Sequence, residues 1–521
     1  MPRNKRAEEP IQRASKIKQL FLMKSVIAEQ YRIDPTKSKN DLSERVKNAP
    51  MFGKIAQSVI LAAPADSKSD TEVNARLARE TGEISRAIQT LVEGNAAPEL
   101  RRHYESELAR LQQPFVQSLP LASVNKVLHF ITNSLPHTNS GYSLRSHAVL
   151  KAMQSVGIAS CAATRIGYPA VVGRFSEANP ECVDGVDYYR LLPQSMSCSL
   201  EKQQETAIEQ LIYIARETGA EAIHTTTGFE NALIASRAAM VLEIPWVYEM
   251  RGEPERTWLS KKPHHVQHVA KNSEYFRLAH RQEFEAAKMA SGVVVLSNIT
   301  KKNLVDRGID ERKIFVVPNG VNDNAFFSAE TQSESRKELG LPVDKKIVGT
   351  ITAVVDYEGL EYLIDAIEQL DESYIGLIVG DGVVLDDLVE KVERQGLSSR
   401  IMFVGRQSNA TIAKWYRSLD VFVVPRKNTL VCQTVTPIKT VMAQALNVPV
   451  VASDLPALRE VTGELEYYVE PENADALATG IEAVLAQSNI ENGGERVEWA
   501  DSRKWSVLAN SYKELYQGTR N

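Results

Sequence analysis

Cysteine is scarce in this sequence. Cys161, Cys182, Cys198 and Cys432 are scattered through 521 residues, with no C-x-x-C pair and no histidine at zinc-site spacing. That excludes a disulfide-built secreted scaffold and a zinc module, and it predicts reduced, mostly buried thiols. An excess of one charge sign is also missing. The formal net charge is −5, so no global field recruits nucleic acid or anionic membrane, and any anion site has to be built locally. Long apolar runs are absent too. The longest near the start, residues 20–23 (LFLM), is far too short for a signal peptide. No stretch approaches the ~20 apolar residues of a membrane span. No short-period repeat suggests a solenoid. Together these absences predict a cytoplasmic globular protein.

What is present is an ordinary globular balance, 43% hydrophobic and 24% charged, with ample material for more than one core. Residues 1–124 are rich in Glu, Arg, Lys, Gln and Ala and are broken by Pro50, Pro64 and Pro98. EVNARLARETGEISRAIQTLVEG and ELRRHYESELARLQQ place apolar residues at helical spacing between charges, which predicts a helical N-terminal region. From Lys126 the texture changes. KVLHFITNS reads as a buried strand and a polar loop, followed by a helix over residues 142–156. EAIHTTT, IPWVYEM, GVVVLS and KIFVVPNG then alternate with helical segments. A second series, KKIVGTITAV, YIGLIVGDG, IMFVGR, DVFVVP and VPVVASD, repeats the alternation. Such alternation predicts an α/β protein of two doubly wound parallel sheets, over residues 125–322 and 323–503. An amphipathic helix over residues 504–521 is expected to pack back on the first domain. Ligands of open parallel sheets sit at the carboxyl ends of strands, so the expected site lies where two such sheets face each other.

The residues offer local chemistry for an anionic leaving group, which needs positive charge and aligned N–H donors. Pro437 after Thr436 reads as a first helical residue after its cap, with Lys439 in the first turn and the helix running to about Asn447. Arg426 and Lys427 follow the strand DVFVVP, and Arg406 follows IMFV. For these cations the plain alternative is a solvated charge. Asn319 and Gly320 after KIFVVP are a turn signal first and a ligand contact second. Gly141, with Tyr142 and Arg145 behind it, opens a strand-to-helix loop where a missing Cβ lets backbone approach a ligand; a tight turn is the alternative. Arg145 faces either the cleft or water. His224 and Arg251 each follow a short apolar strand, and Glu249 is a partner that fixes Arg251. A structural ion pair is an equal reading.

Taken in order, the segments TNSLPHTNSGYSLRSHAVLKAM, HTTTGFENALIASRAA, IPWVYEMRG, ASGVVVLSNITKKNLVDRGIDERKIFVVPNGV, VVDYEGLEYLIDAI, IVGDG, IMFVGR and DVFVVPRKNTLVCQTVTPIKTVMAQALNVPVVASDLPALREV resemble the family 4 glycosyltransferases. The resemblance spans about residues 126–516. It implies a GT-B fold, two facing Rossmann-like domains, with a nucleotide-sugar donor held mainly by the second domain and a glycan or lipid-linked acceptor mainly by the first. It implies transfer with retention, without a metal or other cofactor, in cell-envelope or exopolysaccharide synthesis. By the same resemblance Arg251 and Glu249 stand at the catalytic position. Arg426, Lys427, Thr434, Thr436, Lys439, Asn319, Gly320 and Arg406 stand on the donor side, and Gly141, Tyr142 and Arg145 on the acceptor side. Thr434 and Met442 occupy the places of the family's two glutamates, and Thr352 and Glu358 those of its Arg and Lys, so Arg426 and Lys427 replace the lost cations. A second reading is a catalytically weak or inactive subunit that binds a partner or a glycan. In either case the N-terminal region is the expected surface for a protein partner or for peripheral contact with the inner face of a membrane.

Overall fold

The computed structural model describes residues 16–33, 69–197, 199–321, 323, 330–408, 410–487 and 493–518. Cys198, the basic start of the chain, and the breaks at Pro50 and Pro64 lie outside the described residues. The chain divides into two compact units. One comprises Met1–Val294, Ile309–Phe315 and Tyr512–Asn521; the other comprises Val295–Gly308 and Val316–Ser511. The N-terminal helices among the described residues belong to the first of these units.

The first unit carries an eight-stranded sheet in the order β3-β4-β2-β1-β5-β6-β7-β8. Its strands are β1 (Lys126–Ile131), β2 (Ala159–Thr164), β3 (Glu181–Val183), β4 (Val186–Arg190), β5 (Ala222–Thr226), β6 (Trp246–Met250), β7 (Gly292–Val295) and β8 (Ile314–Val316). Strands β4, β2, β1, β5 and β6 pair in parallel, whereas β3 runs antiparallel to β4. Every residue of β5 and β6 is buried, as parallel strands covered on both faces must be. The strands β2, β3, β4 and, in the second unit, β14 were not anticipated. ASCAAT has little β-branched content, but the Asp184-Gly185 pair between β3 and β4 is a hairpin signal that was there to be read.

The N-terminal helices are bound into this unit by burial. The helix Lys16–Ile33 seats Leu22, Met23, Val26 and Ile27 against Ala170, beside Val171, Phe175, Leu192 and Met196. The LFLM segment thus spends most of its apolar side inside the unit rather than on a membrane, with Phe21 left exposed. The helix Pro98–Gln112 seats Leu100, Tyr104 and Leu111 in a cluster with Phe229, Leu233 and Ala279. Each such buried side chain contributes about 1.5–3 kcal/mol. Among the described residues no helix is long and apolar enough to cross a membrane.

The second unit has a six-stranded sheet in the order β11-β10-β9-β12-β13-β14, with all pairs parallel. Its strands are β9 (Lys346–Ile351), β10 (Tyr374–Val379), β11 (Ile401–Phe403), β12 (Val421–Val424), β13 (Val450–Ser453) and β14 (Tyr467–Val469). Numbered within the unit this is the 3-2-1-4-5-6 order of nucleotide-binding sheets, and it reverses between β9 and β12. Glycine holds the backbone together at that point. Gly359 has φ +67°, and a Cβ there would lie 2.0 Å from the carbonyl oxygen of Pro425, the residue after β12. Gly359→Ala is expected to lower the stability of this unit by at least about 1–3 kcal/mol, through left-handed strain and overlap together. Hydrogen exchange of the β12 amides in the variant would measure the loss.

Candidate functional site

In the second unit the chain leaves β9 at Thr352 and β12 at Pro425, the two carboxyl ends that flank the reversal. Glu358, from the loop after β9, is the centre of what gathers there. Arg426 Nη2 donates to its Oε1 at 2.9 Å and Arg426 Nε to its Oε2 at 3.3 Å. Lys439 Nζ donates to Oε1 at 3.2 Å and also reaches the hydroxyl of Thr352. Burial pushes the Glu358 carboxyl up, but Arg426 and Lys439 outweigh it and hold it at about 2. Burial lowers the Lys439 ammonium, opposed by Glu358 and aided by Arg426. Two cations against one carboxylate leave the cluster positive, which is what a diphosphate requires. Arg426 is 6% exposed at the side chain and Lys439 23%, so Lys439 is the cation with room to meet a ligand.

The other residues expected on the donor side have different local roles. Lys427 is held by Asp356 at 2.7 Å and Glu361 at 2.6 Å, so it is a paired surface cation rather than a second bare charge. Asn319 Nδ2 donates to the carbonyl of Thr436 at 3.2 Å. Gly320 permits close packing, since a Cβ there would lie 2.8 Å from the carbonyl of Arg503 and 2.9 Å from the Trp505 ring. Thr434 ends the short helix Leu430–Thr434 and bonds back to the Leu430 carbonyl at 3.3 Å. Arg406 is exposed after β11. The expected helix start is corrected. The helix is Lys439–Ala445, preceded by Ile438, so Thr436 is not its cap and Pro437 is not its first residue. Arg426 Nη1 donates to the Val435 carbonyl at 3.0 Å, and Val435 is extended. The Thr436 hydroxyl is buried without a partner. With seven residues, the helix contributes little dipole, and the positive charge here comes from side chains.

In the first unit β1 lies between β2 and β5, so the order reverses at β1 and β5. Glu249, on β6, is wholly buried below this point. Its Oε1 accepts from Arg145 Nη2 at 2.7 Å and Nε at 3.0 Å, and its Oε2 accepts from Arg251 Nη2 at 2.9 Å. His224 Nε2 lies 3.1 Å from Oε2, and His224 Nδ1 lies 2.7 Å from the Tyr516 hydroxyl. Burial raises the Glu249 carboxyl, yet Arg251 and Arg145 hold it well below the ordinary range. Burial, opposed by Glu249, lowers His224 and keeps it neutral. Arg145 thus faces neither cleft nor water; it is paired inside the unit. Arg251 also donates to Ser146 Oγ at 2.6 Å and lies 5.0 Å from the Tyr142 ring centroid. Its backbone N–H donates to Thr227 Oγ1 at 2.7 Å. Gly141 opens the helix Gly141–Ser155 with open space where its Cβ would be.

Tyr142 and Thr227 also line a cavity of about 780 Å³ at the carboxyl ends of β1 and β5. Its polar side is built by Thr132, Asn133 and Asn231, with Asn231 Nδ2 donating to Thr132 Oγ1 at 2.9 Å. Tyr512, Tyr516 and the cavity residues His103, Asn133 and Asn231 were missed from the sequence. A buried asparagine in the apolar helix Phe229–Leu242 was the one available signal. The thiols differ from expectation: Cys432 is buried, Cys161 partly so and Cys182 exposed.

Two family profiles match the chain in succession. The family profile "Glycosyltransferase Family 4" matches residues 183–325, and "Glycosyl transferases group 1" matches residues 331–499, more than half of the chain between them. An uncharacterized glycosyltransferase of Methanocaldococcus jannaschii is 27% identical over 259 residues, 47% of this chain and 64% of that one. A lipopolysaccharide core biosynthesis mannosyltransferase of Rhizobium meliloti is 34% identical over 180 residues, 33% of this chain and 49% of that one. The chain thus spans about half to two thirds of these relatives' length. Sucrose-phosphate synthase from Thermosynechococcus elongatus has the same fold, with TM-score 0.60 at 20% identity over 75% of this chain and 98% of that one.

Proposed function

Because the chain belongs to the family 4 glycosyltransferases of GT-B fold, we propose that it moves a sugar from a nucleotide-sugar donor to a glycan or lipid-linked acceptor in cell-envelope or polysaccharide synthesis. The observation that carries this reading is the Glu358–Arg426–Lys439 cluster at the point where the second sheet reverses. Nucleotides bind open parallel sheets at that point, and departure of a nucleoside diphosphate is aided by fixed positive charge. Lys439 meets the diphosphate. Arg426 keeps Glu358 in place, and Glu358 sets how far Lys439 extends. Thr434 and Asn319 line the approach. Transfer proceeds with retention and without a metal, the cationic side chains supplying the charge. On the acceptor side Glu249 is the fixed counter-ion of Arg251, and Arg251 positions Tyr142 and Thr227 at the cavity wall.

The test is donor screening with UDP-, GDP- and ADP-linked hexoses, reading transfer to water by the nucleoside diphosphate released. One nucleotide class is expected to turn over, and proton NMR of the sugar first released is expected to show the donor's anomeric configuration. Release from no donor, together with no nucleotide binding, would replace this reading with the non-catalytic subunit.

A further inference from the structure

The cavity of the first unit is lined in part by helices that neither family profile matches. Its liners include Val26, Gln30 and Ile33 from the helix Lys16–Ile33, and His103 and Arg110 from the helix Pro98–Gln112. Both helices precede residue 183, where the family match begins. Their contribution is uneven in chemistry. Val26 packs in one apolar cluster with Val171 and Met196, and all three line the cavity. Other liners are polar: Asn231 and Thr132 bond each other, and the Tyr142 hydroxyl accepts from the Thr132 N–H at 3.0 Å. Two further polar atoms of liners, His103 Nδ1 and Asn133 Oδ1, are buried without a protein partner. Burial lowers His103, opposed by Glu107 and aided by Arg110 and Arg79, which favours the neutral imidazole. Unsatisfied buried groups of this kind call for a ligand or water. The volume of about 780 Å³ lies within the roughly 300–1,000 Å³ of small-molecule sites.

We propose that the N-terminal helices are a wall of the acceptor site and select an amphipathic acceptor, a sugar head on an apolar chain. The sugar hydroxyls meet Asn133, Asn231 and His103, and the apolar chain lies along Val26, Ile33, Val171 and Met196. This rests on the transferase reading, and it assigns the N-terminal region a role in substrate choice.

Calorimetry on the full chain tests it, with octyl glycosides of glucose, mannose and galactose below their micelle concentrations and the methyl glycosides of the same sugars. At least one octyl glycoside is expected to bind tenfold or more tightly than its methyl counterpart. Ile33→Ser should erase most of that preference. Gln30→Glu, at an exposed position where folding is not at stake, should reduce it at least threefold by setting a carboxylate beside the apolar chain. His103→Ala should weaken octyl and methyl glycosides alike. UDP, GDP or ADP binding by the second unit should be unchanged in all three variants. Equal binding of octyl and methyl glycosides, or no binding of either, with nucleotide binding intact, would overturn the inference. Loss of nucleotide binding in the unsubstituted protein would instead sink the transferase reading.

Discussion

Glu249→Gln is expected to destabilise the first unit by about 3–5 kcal/mol, the scale for removing one partner of a buried ion pair. Glutamine keeps the shape but not the charge, and it leaves two guanidiniums, Arg145 and Arg251, in a buried site without their shared carboxylate. It also turns one of the two acceptor oxygens into an N–H donor, so either Arg145 or the Arg251 and His224 pair loses its acceptor. Hydrogen exchange of the β5 and β6 amides, or chemical denaturation, reads the effect. A loss under about 1 kcal/mol would mean that the network adds nothing to stability. The same groups fix the response to acid. Glu249 has a folded pKa far below the unfolded value, so its stabilisation is present above about 4.5 and is lost as pH falls toward the folded pKa. His224 is lowered by burial, so below about 6.5 the unfolded chain takes up a proton that the folded one refuses. Both signs agree: the first unit loses stability on acidification, beginning near pH 6.5. In Glu249→Gln the carboxylate's part of that acid response disappears.

Lys439→Met is expected to weaken binding of the preferred nucleoside diphosphate about 10–100-fold, the range for one charge-assisted contact of about 1.5–3 kcal/mol. Methionine retains much of the apolar stem and fills the same space. Glu358 keeps Arg426 as its partner at 2.9 Å, so the fold is expected to survive. Lys439→Arg should recover part of the affinity, because charge rather than shape is what the phosphate reads. Titration with UDP, GDP and ADP measures both. An unchanged Kd in Lys439→Met, with the nucleotide still bound, would place the diphosphate away from the cluster.

Much of this site was legible as segments rather than as contacts. The strand β12 is a run of Val and Phe and β9 is half Val and Ile, and a strand followed by polar residues and a helix points to a ligand end. Arg426 and Lys439 could therefore be marked. That Glu358 would be their partner could not, because the loop after β9 and the helix beginning at Lys439 are 81 residues apart in sequence. The cap at Thr436 failed for a tertiary reason. The local pattern Thr-Pro favours a helix start, but Arg426 holds the Val435 carbonyl and the helix begins two residues later than expected. Arg145 was ambiguous on its own helix, since a single charged residue can face either way; burial of Glu249 on β6 settled it.

The sequence by itself determined the fold class, because alternation of apolar strands with helices admits few topologies. It also determined the helical character of the described N-terminal segments, from Asp70 to Gln112, and the residue types of the cationic cluster. Tertiary structure alone decided which charges other than Arg251 are neutralised, since those ion pairs join side chains distant in sequence: Lys427 to Asp356 and Glu361, Arg426 and Lys439 to Glu358, Arg145 to Glu249. It alone decided that the helix carrying LFLM packs inward and lines a cavity. A helical stripe records that one face must be covered, and only the packed chain supplies what covers it.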